Sequence, residues 1–176
     1  MELTNLHKAF AEFQQKVISA AKSNLKKKSY TGKLEESIKG NVEVHPNSVR
    51  INFKMEGYGW MQDQGVKGIK GGKSLDNFTY KKSSNLVGLN KATGVFSKYV
   101  KSRRIQFRNK KGQFLSYEQS GYALANTIKN YGIKPSLWFT KPFESALKSL
   151  PNTLIEKYGL DAEKLLEQII DEELNR

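Results

Sequence analysis

Gly68-Ile69-Lys70-Gly71-Gly72-Lys73-Ser74 contains the residue types that cradle a phosphate: glycines whose amides can approach an anion, a lysine and a hydroxyl. The spacing fails, however. A Walker-type loop needs four residues between its first glycine and its Gly-Lys-Ser, and Lys67 stands where that glycine should be, with Gly68 one residue too near. No buried strand precedes the segment and no clear helix follows it, so it reads as a flexible basic loop. Imidazole chemistry has only His7 and His45 to draw on. His7 lies beside an apolar helical stripe and His45 precedes a turn proline; they lack metal-ligand spacing and read as surface or boundary residues. Glu35 and Glu36 are adjacent and would diverge on a helix, while Asp171-Glu172-Glu173 falls on a solvent face. Asp63, near Trp60, has no second acid to work with. No nucleophile-elbow pattern appears. With no cysteine, thiolate zinc sites, a thiol nucleophile and disulfides are excluded. The expectation is a protein that is not an enzyme, with no catalytic, cofactor-binding or metal-binding residues.

A binding surface is better supported. Lys98, Lys101, Arg103, Arg104, Arg108, Lys110 and Lys111 form a dense basic run interleaved with Phe96, Tyr99 and Phe107. Cations for phosphates and aromatic faces for bases would suit a single-stranded nucleic acid. The plainer reading is a hairpin carrying Ile105, Phe107, Phe114 and Leu115, whose charged outer face is solvated or meets a protein. No zinc finger, helix-turn-helix spacing or RNA-recognition motif accompanies the run. These seven cations, together with Trp60 and Trp138, are the candidate interface or DNA-contact residues. The wider stretch from Gly65 to Lys111 holds thirteen Lys/Arg and one acid, Asp76, for a net +12. The chain as a whole is +13, whereas Pro151 to Arg176 has seven acids and three bases. Such asymmetry fits either nucleic acid or the acidic helices of a neighbouring subunit.

The elements that must position this run follow from periodicity. Leu3, Leu6, Phe10, Phe13, Val17, Ala20 and Ala21 recur at three- and four-residue spacing, which predicts an amphipathic helix from about Leu3 to Leu25. Lys26-Lys27-Lys28 lies at its C-terminal end, where cations favour the helix dipole. Ser29-Tyr30-Thr31-Gly32 breaks it, and Lys33 to Ile38 is a short helix or turn. Val42 and Val44, then Val49, Ile51 and Phe53, alternate with polar residues around His45-Pro46-Asn47-Ser48, predicting a β-hairpin with one buried face. Gly57 to Gly65 is an aromatic bend. Val66 to Val100 lacks clear periodicity and reads as a long loop. A second hairpin is expected around Asn109-Lys110-Lys111-Gly112. A helix from Tyr117 to Tyr131 stops at Gly132. Another, entered through Pro142, is disturbed at Pro151 and ends at Gly159. A last helix is capped by Asp161. The core residues expected are Phe10, Phe13, Val17, Ile51, Phe53, Phe143 and Leu147.

Together these elements predict an α+β fold. A long N-terminal helix and C-terminal helices pack on a small antiparallel sheet, with a long basic loop and hairpin insertion. The 176 residues are expected to form a single domain, long enough to bury roughly 70% of the unfolded surface. Within it, 66–116 is the basic insertion and 161–176 an acidic amphipathic helix. No run approaches the ~20 apolar residues that span a bilayer, and Met1 to Leu6 lacks the pattern of a secretory signal; no membrane partner is expected.

The order of the motifs carries a resemblance. The long first helix is followed by Thr31-Gly32-Lys33-Leu34-Glu35-Glu36-Ser37-Ile38. The hairpin then leads to Tyr58-Gly59-Trp60-Met61-Gln62-Asp63-Gln64-Gly65, and Trp138-Phe139-Thr140-Lys141-Pro142-Phe143 precedes Ala146-Leu147. This order resembles the tail-completion and head–tail joining (neck, minor tail) proteins of tailed bacteriophages. There a Thr-Gly-basic-Leu element precedes the hairpin, an aromatic-acid-aromatic-Gly-Thr element follows it, and an aromatic-Leu-Arg-Pro-Ala-Leu element opens the last helix. Here Gln64-Gly65-Val66 stands in place of aromatic-Gly-Thr, and the insertion is longer. The resemblance covers about 100 residues in separate pieces. It implies a structural virion protein, made in the host cytoplasm, that forms a sixfold or twelvefold ring at the neck. Such a ring touches other copies of itself, the connector and tail proteins, and passing genomic DNA. Basic residues between Lys67 and Lys111 would meet acidic surfaces such as the Glu163/Glu167/Asp171 side of the last helix. The alternative is a basic nucleic-acid-binding protein.

Overall fold

Ala9, Phe13, Val17, Ala21 and Leu25 recur every fourth residue and put one apolar stripe along helix α1 (Thr4–Lys26), and all five are buried. The computed structural model describes residues 4–26, 31–45 and 48–174, with the backbone alone of Thr4, Val44, 164–166 and 168–174. After α1 come α2 (Lys33–Ser37), strands β1 (Lys39–His45) and β2 (Ser48–Lys54), α3 (Gly57–Gln64), α4 (Leu86–Thr93), α5 (Val95–Ser102), α6 (Tyr117–Tyr131) and α7 (Thr140–Leu174). The fold is α+β. Lys27-Lys28, Ser29-Tyr30 and the Pro46-Asn47 turn lie outside the described residues.

The chain divides into two compact units. One joins the segment up to Glu56 to the segment from Trp138 onward, and the other runs from Gly57 to Leu137. The spacing places the boundaries of an insertion at 66 and 116 within a single domain. The second unit is wider because α3, a helix where an aromatic bend is expected, and α6 belong to it. In place of a featureless loop, 66–100 contains α4 and α5.

In the first unit, α1 packs on α7, β1 and α2. The two strands pair antiparallel with Val42 opposite Ile51 and Gly40 opposite Phe53, so the alternating apolar residues share one face. Gly40 makes room there for the Gln14 side chain, which a Cβ would strike. Leu34 and Ile38 meet Phe13, Val17, Trp138, Phe139 and Ala146 in one core, with Ile51, Phe53 and Phe143 packed against it. The rings meet mostly edge-on, Phe53 to Phe139 at 5.3 Å and Phe13 to Phe143 at 5.9 Å between centroids. Each buried aromatic or aliphatic side chain contributes about 1.5–3 kcal/mol. Two expected core residues sit otherwise: Phe10 is half-buried and Leu147 is 45% exposed.

Helix α7 runs unbroken through both expected interruptions. Pro151 removes the amide that would bond the Leu147 carbonyl, but both residues face solvent, which can satisfy that oxygen. Gly159 has open space around it and stays helical. Asp161 therefore starts no helix of its own. Its carboxylate accepts from the Asn5 and Leu6 amides at 3.1 Å each and from Asn5 Nδ2 at 2.7 Å, closing the first turn of α1 from 155 residues away.

Candidate functional site

Charge separates the two units more sharply than fold does. Residues 57–137 contain fifteen Lys/Arg and three acids, a net +12, which leaves +1 for the rest of the chain. Of those three acids, Asp63 is fully buried and shares a 2.6 Å bond from Gln64 Nε2. Asp76 accepts the Trp60 indole N–H at 2.9 Å and the Asn77 amide at 2.7 Å. The Trp60 bond, then the Asn77 bond, hold its carboxyl below the ordinary aspartate value. Burial pushes the Tyr80 hydroxyl in the opposite direction, up from its ordinary value. Glu118 lies in the first turn of α6, where an acid suits the helix dipole.

The basic run starts on α5. Lys98 and Lys101 lie three residues apart and are exposed, while Val100 between them is fully buried. Helix α5 is held from its N-terminus by the buried Asn90 of α4, whose Oδ1 accepts from Phe96 N at 2.9 Å and Ser97 N at 3.1 Å. Gly94, at φ 66°, makes the left-handed step between the two helices. Gly121 of α6 lets α5 lie close, since a Cβ there would run into Ser97.

Beyond α5 the chain turns at Arg103 and Arg104, the latter at φ 53°. The Ile105 amide bonds the Val100 carbonyl at 2.8 Å, and the Phe107 amide bonds the buried Ser120 hydroxyl at 3.2 Å. The expected second hairpin forms as one isolated bridge, Arg108 to Phe114. Its turn is set by Asn109 Oδ1, which accepts from Lys111 N at 2.9 Å and Gln113 N at 3.0 Å, with Gly112 at φ 79°. The Arg108 guanidinium lies 4.4 Å from the centre of the Phe114 ring.

All seven cations of the run are exposed. The aromatics expected between them as stacking faces are not free: Phe96, Tyr99 and Phe107 are half-buried. Trp60 is 40% exposed and tied to Asp76. Trp138 is 1% exposed in the core of the first unit, which removes it from the surface candidates. Glu163 and Glu167 are exposed on α7, while the Asp171 side chain lies outside the described residues.

The Gly68–Ser74 segment has a different use for its glycines. The Ile69 and Lys70 amides donate to the Lys129 and Asn130 carbonyls at 3.0 and 2.8 Å, and the Gly68 amide donates to the Gly71 carbonyl at 2.7 Å. A Cβ at Gly68, Gly72 or Gly132 would strike the facing backbone. The loop thus caps the C-terminal end of α6, and these amides are already committed to carbonyls. Val66 pairs with Ile133, and the Ser136 and Leu137 amides reach the Asp63 carbonyl at 3.0 and 3.1 Å, so the segments entering and leaving the unit are zipped together.

Sequence reasoning found the cations but not Asn90, Ser120 and Gly121, which position them. The signal available was Ser116 with Gln119 three residues later, a capping box that fixes where α6 begins. Among the described residues, no three His, Cys, Asp or Glu gather to hold a metal, and no helix is long and apolar enough to cross a membrane. Comparison of the chain with protein-family models, with curated proteins and with solved structures gives no match.

Proposed function

We propose that this protein is a structural component of a tailed-bacteriophage virion, forming an oligomeric ring at the head–tail junction that joins connector to tail. One observation carries the reading. The motifs behind the resemblance are far apart in sequence, yet Leu34 and Ile38 from the first and Trp138, Phe139 and Ala146 from the last meet in one core. The middle motif forms α3, at the opening of the second unit. A shared core supports reading the first and last motifs as parts of one architecture.

Self-association has a surface to use. Leu147, Ile155 and Tyr158 are 45%, 72% and 56% exposed and fall on one side of α7 at helical spacing. Contiguous exposed apolar residues mark contact sites, and a heterologous contact that closes generates a ring.

Native mass spectrometry across protein concentration tests the proposal. A sixfold or twelvefold species is expected, and Ile155→Asp should dissociate it while leaving the monomer folded. A mass of one chain at every concentration, with or without isolated connector, would remove the ring reading.

A further inference from the structure

We propose that the unit spanning 57–137 binds the phosphate backbone of nucleic acid, without reading bases, through the basic strip from Lys98 to Lys111. The inference goes beyond the ring reading, since it concerns what this unit contacts, whatever the oligomeric state.

Three observations support it. The first is the imbalance of fifteen cations to three acids, of which Asp63 is buried. Little negative charge remains within the unit to neutralise the strip, so a polyanion gains from the whole field.

The second is that the strip is held in place. Asn90 fixes the start of α5, Ser120 pins the Phe107 amide, and Asn109 closes the turn that presents Lys110 and Lys111. Cations on a fixed scaffold give up less freedom on binding than cations on a free loop.

The third decides which part of a nucleic acid is met. Single-strand binders offer open aromatic faces to bases. Here Phe96, Tyr99 and Phe107 are turned into packing, and the Arg108 guanidinium already lies over Phe114. Phe114, 62% exposed, keeps one ring face open, so what the strip chiefly offers a ligand is charge and hydrogen-bond donors, which suit phosphates.

The composition argues against an acidic protein as the partner. Twelve of the fifteen cations are lysines, a residue depleted at protein–protein interfaces but well suited to phosphate as a point charge. Duplex DNA, with its higher charge density, should bind at least as tightly as a single strand.

The test is fluorescence anisotropy of the full-length protein with labelled duplex and single-stranded oligonucleotides of mixed sequence, across salt. Seven phosphate contacts predict a log–log salt slope of about −6, so that affinity falls about 10³–10⁴-fold between 50 and 200 mM salt. The Lys98→Ala/Lys101→Ala/Lys110→Ala/Lys111→Ala variant should lower the slope to about −3, for a loss of only about 40-fold over that range. All four lysines are exposed, and circular dichroism controls for the fold.

An unchanged slope in the variant would place the contact elsewhere and overturn the assignment. Preference for single strands, abolished by Phe114→Ala, would overturn backbone-only recognition. Absence of binding at 50 mM salt, with self-association that salt dissolves, would give the strip to an acidic protein surface instead. Particle mass measured on the same samples separates this result from the ring reading, because either can fail without the other.

Discussion

Asp161 does for α1 what an N-cap residue does from the adjacent position, but it reaches there from α7. Its two oxygens take the amides of Asn5 and Leu6 and the Asn5 side chain. The first turn of any helix leaves such donors open, and a carboxylate there also meets the positive end of the dipole. Asp161→Ala should therefore destabilise the first unit by about 1–3 kcal/mol, read as a lower midpoint in urea. Asp161→Asn keeps an acceptor and should cost less. Equal losses for the two variants would assign the effect to charge rather than to hydrogen bonding, and no loss in either would show that solvent caps α1 equally well. At the same scale, fully buried Trp138 and half-exposed Trp60 looked alike in sequence. Trp60 lies inside a two-turn helix and Trp138 in the turn before α7, and neither has enough periodic neighbours to say which way it points.

Elements with regular periodicity were legible. The stripe of α1 and the alternation of β1 and β2 each repeat often enough to fix a face, and the register pairs the valines with Ile51 and Val49 as the alternation implies. What stayed hidden was shorter or contradictory. Helices α4 and α5 have eight residues each, about two turns, and are joined through Gly94; their stability comes from the Asn90 bonds and from packing on α6. Helix α7 carries two local stop signals that packing on α1 overrides. The two kinds of helical glycine then predict opposite outcomes. Gly159 sits in open space, so Gly159→Ala should stabilise by about 0.5–1 kcal/mol. Gly121 faces Ser97 across the α5–α6 contact, so Gly121→Ala should cost about 1–3 kcal/mol. Denaturant midpoints for the two variants check both signs, and shifts in the same direction would refute the distinction.

On the scale of the whole molecule, the two units differ in what holds them together. Among the described residues, the first has ten buried apolar residues and buried Asp161, while the second has Val66, Val100 and Ala125 alongside buried Asp63, Gln64, Asn90 and Ser120. The second also bears nearly all the net charge. A thin, polar interior combined with self-repulsion makes that unit sensitive to ionic conditions. Segment-resolved hydrogen exchange should show protection of 57–137 rising as salt is raised from low levels, with little change in the first unit. Equal response in both would mean that charge does not limit the second. The charge imbalance was legible from composition, but its containment in one folded unit was not, because loops such as Gly68–Ser74 owe their order to partners more than fifty residues away.

The first unit is split in the chain, and that split sets an order of events during synthesis. Phe13, Val17 and Leu34 leave the ribosome long before Trp138, Phe139 and Ala146, which complete their core. At about 5–20 residues per second, the intervening eighty or so residues take about 4–16 s to make. For that interval the nascent N-terminal segment has an uncovered apolar face, while everything the basic unit needs to fold is being delivered in one continuous piece. The part of the molecule with the weaker interior can therefore finish first, and the part with the stronger core has to wait for its last helix.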